Sequence, residues 1–180
     1  MEKQPILTYS GIRMYPAAPE EADINIADIA HALAQMARAN GHFKFFYSVA
    51  QHSLACSYEA EARGCDQRIC LALLLHDASE AYICDITRPV KVSLPRYQEI
   101  EAKLEKVIFR ALGVGDLTVA EQNIISEIDD SMLYYEFEEL HLAGGIGGRY
   151  RLLGNHALKA EPIPWVEMTF LRRYDELKLI

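Results

Sequence analysis

Ile26, Ile29, Ala30, Leu33 and Ala37 fall three or four residues apart in "INIADIAHALAQMARAN", the spacing that gives a helix one apolar stripe. Asp23 stands before this run as an N-cap, and Gly41 after it as a stop. The same periodicity predicts a second helix from near Ser48 to Gly64, after the aromatic loop "HFKFFY". From Asp66 to His76 the run is apolar nearly all round, which predicts a third helix at the centre of the fold. Pro89 and Pro95 bracket a loop, "PVKVSLP", and "RYQEIEAKLEKVIFRALG" then reads as an amphipathic helix closed by Gly113. Two more helices fit Val119 to about Leu142 and Val166 to Leu179, with "AGGIGGRYRLLGN" between them. Ile6 to Tyr15 suggests a small hairpin around Ser10-Gly11. No long window alternates with period two and no segment repeats. The expectation is therefore a single all-α domain over residues 1–180, a helical bundle with a small N-terminal hairpin.

Composition narrows the partners more than the fold. A formal net charge of −8 would repel a nucleic acid or an anionic membrane surface, yet a few local cations can still receive a small anion. No window reaches the length of a membrane span, and "MEKQPILTYSGIRMYP" has no apolar signal core. Cys56, Cys65, Cys70 and Cys84 show neither a C-x-x-C pair nor zinc-finger spacing. A cytoplasmic protein with free thiols is expected. "GGIGGR" follows a predicted helix and lacks the Lys-Ser or Lys-Thr of a P-loop, so it is expected to be a surface loop. Whether residues 144–155 close over a pocket, and whether Trp165 lines a site or the core, is left open.

Polar residues interrupt the apolar pattern most sharply in "LALLLHDASEAY", where His76, Asp77 and Glu80 follow a buried-looking run. A core tolerates charged groups only when they are paired or bound to a metal. Neighbours on a helix point about 100° apart, so His76 and Asp77 can grip one ion from two sides. His52 lies on the apolar face of its helix between Val49 and Cys56, either as a further ligand or as a hydrogen-bonded core histidine. Asp129 lies between Ile125 and Leu133 on an apolar face, whereas Asp130 neighbours Ser126 and Tyr134, which makes Asp129 the stronger candidate. Glu136, seven residues on, falls on the same stripe, as a partner to a ligand or as an edge residue. Two histidines and two aspartates suit Mn²⁺, Co²⁺, Fe²⁺, Ni²⁺ or Zn²⁺. Glu80 falls on the face of His76 and Asp77 if the helix continues.

"SVAQHS", "LLLHDASEAY", "DITRPVK" and "SEIDDS", in this order, resemble the HD-domain metal-dependent phosphohydrolases. The likeness runs from about Ile24 to Leu140 and is nearest to the small deoxynucleoside 5′-monophosphatases and compact deoxynucleoside triphosphate hydrolases. It implies that His52, His76, Asp77 and Asp129 hold one divalent transition metal ion. It makes Glu80 the base or water-orienting group and Asp85 a second acid near the water or the sugar. An arginine near the place of Arg38 holds phosphate in the monophosphatases, beside an aromatic residue. Ala39 stands there in this chain, and Phe43, Phe45 or Phe46 could substitute for that aromatic residue or belong to the core.

Arg38, His42 and Lys44 precede His52, and Arg88 and Lys91 follow the His-Asp pair. Of these, Arg38, His42 and Lys91 are the expected phosphate-binding residues. The expected activity is metal-dependent hydrolysis of phosphate esters or anhydrides of (deoxy)nucleotides. The alternatives are a catalytically silent, metal- and nucleotide-binding module and an HD-type nuclease, the latter disfavoured by the acidic balance. The expected partner is a small nucleotide, with a homodimer or higher homo-oligomer left open.

Overall fold

A computed structural model describes residues 4–178. Two short strands, β1 (Ile6–Leu7) and β2 (Arg13–Met14), pair antiparallel with Ile6 opposite Met14. The helices that follow are α1 (Ile26–Gln35), α2 (Val49–Ala62), α3 (Gln67–Leu75), α4 (Glu80–Ile83), α5 (Arg88–Lys91), α6 (Pro95–Ala111), α7 (Val119–Leu140) and α8 (Ile163–Leu177). The expected all-α fold with an N-terminal hairpin is the observed one. The expected end of the last helix, Leu179, lies outside the described residues.

The core forms where the chain is most apolar. Every residue from Ile69 to Leu75 on α3 is buried, and α2 packs beside it with small side chains (Ala50, Ala55, Cys56, Ala60) that let the two helices approach closely. α1 and α8 cover one side of this central pair, and α7 and α6 the other. The hairpin is fastened to α1 by Asp28, whose carboxylate accepts both the N–H and the hydroxyl of Ser10 at 2.7 Å. No helix among the described residues is long and apolar enough to cross a membrane.

Three local expectations are corrected. Asn25, not Asp23, caps α1: its side-chain oxygen accepts the Ala27 N–H, while Asp23 belongs to a 3₁₀ turn upstream. α1 also ends at Gln35 instead of continuing to Gly41, because the chain doubles back. Arg38 N–H donates to the Tyr47 carbonyl, Val49 N–H donates to Met36, and Ala37 bridges Ser48. The turn Arg38–Gly41 holds Ala39 and Asn40 at φ of 51° and 50°, a strained region for residues with a Cβ. Finally, "PVKVSLP" is not a plain loop. Pro89 sits in the first turn of α5 and Pro95 opens α6, positions where a missing N–H costs nothing.

The glycine-rich segment runs as a strap along α7. A Cβ on Gly148 would overlap the Tyr134 ring. Farther on, the strap is fastened by Glu59, a fully buried carboxylate on α2 that accepts from Leu153 N–H, Gly154 N–H, His156 Nε2 and Arg63 Nε at 2.8–2.9 Å. Burial would raise this carboxyl, but donors from Arg63, His156 and the strap backbone hold it down at about 2, against an ordinary 4.5. Glu59→Gln is therefore expected to cost about 2 kcal/mol in urea unfolding at neutral pH. A depressed folded-state value means that Glu59's contribution is present above the unfolded value. It is lost as pH falls from about 4.5 towards 2, so the native-minus-variant difference should vanish over that interval. A constant difference across it would contradict the fastening role.

Candidate metal centre

Four segments converge on one point. The Ser48 side chain accepts the Gln51 N–H while Gln51 Oε1 accepts the Ser48 N–H, a reciprocal cap that starts α2 one turn before His52. α3 ends at Leu75, and a turn rather than continued helix carries His76 and Asp77, with Glu80 opening α4 beyond it. α7 brings Asp129 and Glu136 from the opposite side. The tight turn after α1 delivers Arg38.

Within the cluster, His52 Nε2 lies 3.0 Å from Asp129 Oδ1 and 3.7 Å from Asp77 Oδ2. His76 Nε2 is 3.4 Å from Asp77 Oδ2 and 3.7 Å from Asp129 Oδ1. The other nitrogen of each ring is already engaged: His52 Nδ1 against both oxygens of fully buried Glu136, His76 Nδ1 against the Leu73 carbonyl at 2.7 Å. Both rings thus turn Nε2 toward the shared point, the orientation that outer partners give metal-binding histidines. His76 Nε2 is buried without a hydrogen-bond partner. Glu136 is therefore the buried partner of His52 rather than an edge residue.

Arg38 threads this cluster with its side chain 11% exposed. Its guanidinium donates to Asp77 at 3.2 Å and to His52 Nε2 at 3.1 Å, and it lies 3.7 Å from both Asp129 and Glu136. Three carboxylates, Asp77, Asp129 and Glu136, thus face one guanidinium. The excess negative charge shows in the titration of the neighbours. Burial would lower His76, yet Asp77 and Asp129 raise it above the ordinary imidazole value. Burial and Arg38 both act to lower His52, and it too is raised, by Cys56 first and then by Glu136 and Asp129. Burial would raise Asp129, but both imidazoles hold it well below the usual carboxylate range. A divalent cation fits a site of this donor chemistry and charge.

The cluster opens into a cavity of about 820 Å³. Arg38, Asp77 and Asp129 line it, together with Glu80 and Asp85 and with His42, Arg88 and Lys91. Leu133, Tyr134, Phe137 and Ile146 supply an apolar and aromatic wall. Glu80 is 3% exposed, and its Oε2 is buried and unpartnered. Burial first, then the charges of Asp77 and Asp85, push its carboxyl well above the ordinary value. Asp85 is also raised, by burial and then Asp77 against the opposing Arg38.

Among the expected phosphate-binding residues, Arg38 is deep, while Lys91 pairs with Glu101 on α6 at 2.7 Å. Arg88 grips Asp129 Oδ2 and Asp130 through separate nitrogens, so Asp130 is half of an ion pair rather than a free surface acid. Of the "HFKFFY" aromatics, none lines the cavity. Phe43 packs edge-on against Phe137, and the rings facing the cavity are Tyr134 and Phe137 on α7. Trp165 is half-exposed on α8, in a separate shallow depression with Tyr47, Gln51 and Tyr58. Ile146 brings the glycine-rich strap to the wall of the cavity.

A helical bundle that joins two histidines and two aspartates over a cavity in this way is the arrangement named for its His-Asp pair. The HD domain family matches residues 36–141, from the double-back after α1 to the end of α7, and this chain belongs to that family. Its members are generally metal-dependent hydrolases, and among the described residues His52, Cys56, His76 and Asp129 bring donor atoms close enough together to hold an ion. The chain is similar to YfdR of Escherichia coli K12, an uncharacterized protein, at 40% identity over 109 residues, covering 61% of this chain and 58% of YfdR. It is also 40% identical over 111 residues to an uncharacterized protein of Rhodobacter capsulatus, covering 58% of this chain and 56% of that one. The matches thus span under three fifths of either relative's length.

Glu136 gives this centre a test that does not touch the ion. Glu136→Gln keeps the shape but removes the charge behind His52, and should weaken metal affinity about 10–100-fold by calorimetry. An unchanged affinity would separate the Glu136–His52 contact from metal binding.

Proposed function

We propose that this chain hydrolyses phosphate esters or anhydrides of (deoxy)nucleotides at the cavity below α7. One observation carries the reading: a single cavity of about 820 Å³ joins Asp77, Asp129 and Arg38 of the cluster, three further basic side chains and an aromatic wall. That volume suits a nucleotide-sized ligand. A charged phosphate fits the Arg38 end, and a base fits against Tyr134 and Phe137.

His52, His76, Asp77 and Asp129 would hold the ion. When bound, it supplies a water of lowered pKa and polarises a phosphoryl oxygen. Arg38 is fixed as a cation: burial acts against its charge, but Asp77, Glu136 and Asp129 raise it far above the ordinary guanidinium value. It meets charge that accumulates on the phosphate oxygens. His42 and Lys91 add donors around the phosphate. Glu80 accepts the proton from the attacking water, a task suited to a buried carboxyl that binds a proton more readily than an ordinary one. Asp85 orients that water or the sugar hydroxyl.

The test is release of phosphate and nucleoside by metal-stripped protein resupplied with Mn²⁺, Co²⁺ or Mg²⁺, across deoxynucleoside mono- and triphosphates. Ion-dependent turnover supports the reading, and the preferred phosphate chain length selects the substrate. Nucleotide binding without turnover would contradict it in favour of a binding module. Cleavage of single-stranded DNA alone would contradict it in favour of a nuclease.

A further inference from the structure

One donor beside the two imidazoles has no part in the hydrolytic arrangement. Cys56 lies one helical turn after His52 on α2, fully buried, with Sγ 3.6 Å from His52 Nε2. Donor atoms of His52, Cys56, His76 and Asp129 all fall within 4.8 Å of one another. Donor atoms bound at about 2.0–2.3 Å to one ion stand roughly 3–4 Å from their neighbours, so this set needs only modest contraction. A second observation points to the same place. The His76 side chain is 8% exposed, and its Nε2 is buried without a partner, an atom that needs one. Cys70 differs in kind, since its thiol donates to the Cys65 carbonyl.

The placement of Cys56 is also specific. It approaches from the core side of α2, whereas Asp77 and Asp129 line the cavity. A bond from Cys56 would therefore leave the cavity side of an ion free for water and substrate.

We infer that Cys56 is a thiolate donor to the ion of this centre and turns its preference toward thiophilic ions, Zn²⁺, Co²⁺ and Fe²⁺, over Mn²⁺ and Mg²⁺. The inference rests on the metal-binding reading of the cluster. In the step itself the S–H bond breaks, the sulfur pair forms the bond to the ion, and the proton leaves to solvent with no change of oxidation state. Sulfur is the soft member of a set otherwise built from imidazole and carboxylate, so it is the donor that discriminates.

The experiment is a Co²⁺ titration of the metal-stripped full chain, followed by absorption and by calorimetry. The native protein should develop a near-ultraviolet thiolate-to-Co²⁺ charge-transfer band that saturates at one ion per chain. Cys56→Ser and Cys56→Ala should lose the band while still binding Co²⁺, and Cys84→Ser, an exposed cysteine, should keep it. The ratio of Zn²⁺ to Mn²⁺ affinity should fall about tenfold or more in the Cys56 variants. Calorimetric Co²⁺ binding by the native chain without the band, or a band that survives Cys56→Ala, would overturn the thiolate assignment and leave the metal centre standing. No Co²⁺ binding at all would overturn both. A native spectrum without the band overturns the assignment even if a variant fails to fold, and where one Cys56 variant fails the other carries the comparison.

Discussion

Asp77→Ala is expected to reduce ion-dependent phosphate release to the metal-free background, the largest loss of any single change at this centre. Asp77 lies against both imidazoles and one face of Arg38, so its removal takes away a candidate ligand and an anchor of Arg38 together. The fold should survive, because Arg38 keeps Asp129 and Glu136 and is not left as an unpaired buried charge. Calorimetry should show weakened metal binding, and a thermal melt should show a native-like transition. Substantial turnover by a folded Asp77→Ala protein would move the chemistry elsewhere.

Glu80→Gln is expected to lower kcat by about 10²–10⁴-fold while leaving metal affinity and KM nearly unchanged. The change preserves shape and removes only the ability to take up a proton. Glu80 is suited to that task by its surroundings. Buried at 3% exposure and flanked by the charges of Asp77 and Asp85, it binds a proton more readily than an ordinary carboxyl. A glutamine variant with native kcat would leave Glu80 as a structural residue at the head of α4. A variant that lost metal binding instead would make it a ligand.

Much of this architecture is legible in the chain because its two central helices write their burial directly. A run such as Ile69–Leu75 has no polar face, so it can only be central, and the histidine and aspartate at its end stand out against it. Glu136 could be read as a partner because it shares a helical stripe with Asp129. What escaped the pattern depends on contacts distant in sequence. The break after Gln35 is set by pairing with residues 47–49, which periodicity within α1 cannot register. Asp130 looks like a surface acid until Arg88, 42 residues earlier, folds against it. The aromatic wall is not drawn from Phe43, Phe45 or Phe46: Phe43 packs edge-on against Phe137, Phe46 is exposed, and Tyr134 and Phe137 line the cavity instead. Glu59 gives no local sign that it fastens a strap 94–97 residues away. Prolines misled for a different reason: they end helices and start them equally well.

Anomalous diffraction from crystals of the full chain grown with Co²⁺ addresses the metal centre most directly. The expected result is one strong peak within about 2.3 Å of His52 Nε2, His76 Nε2, Asp77 and Asp129, open toward the cavity wall formed by Tyr134 and Phe137. A peak bound elsewhere on the chain, or none at this cluster under saturating ion, would contradict it.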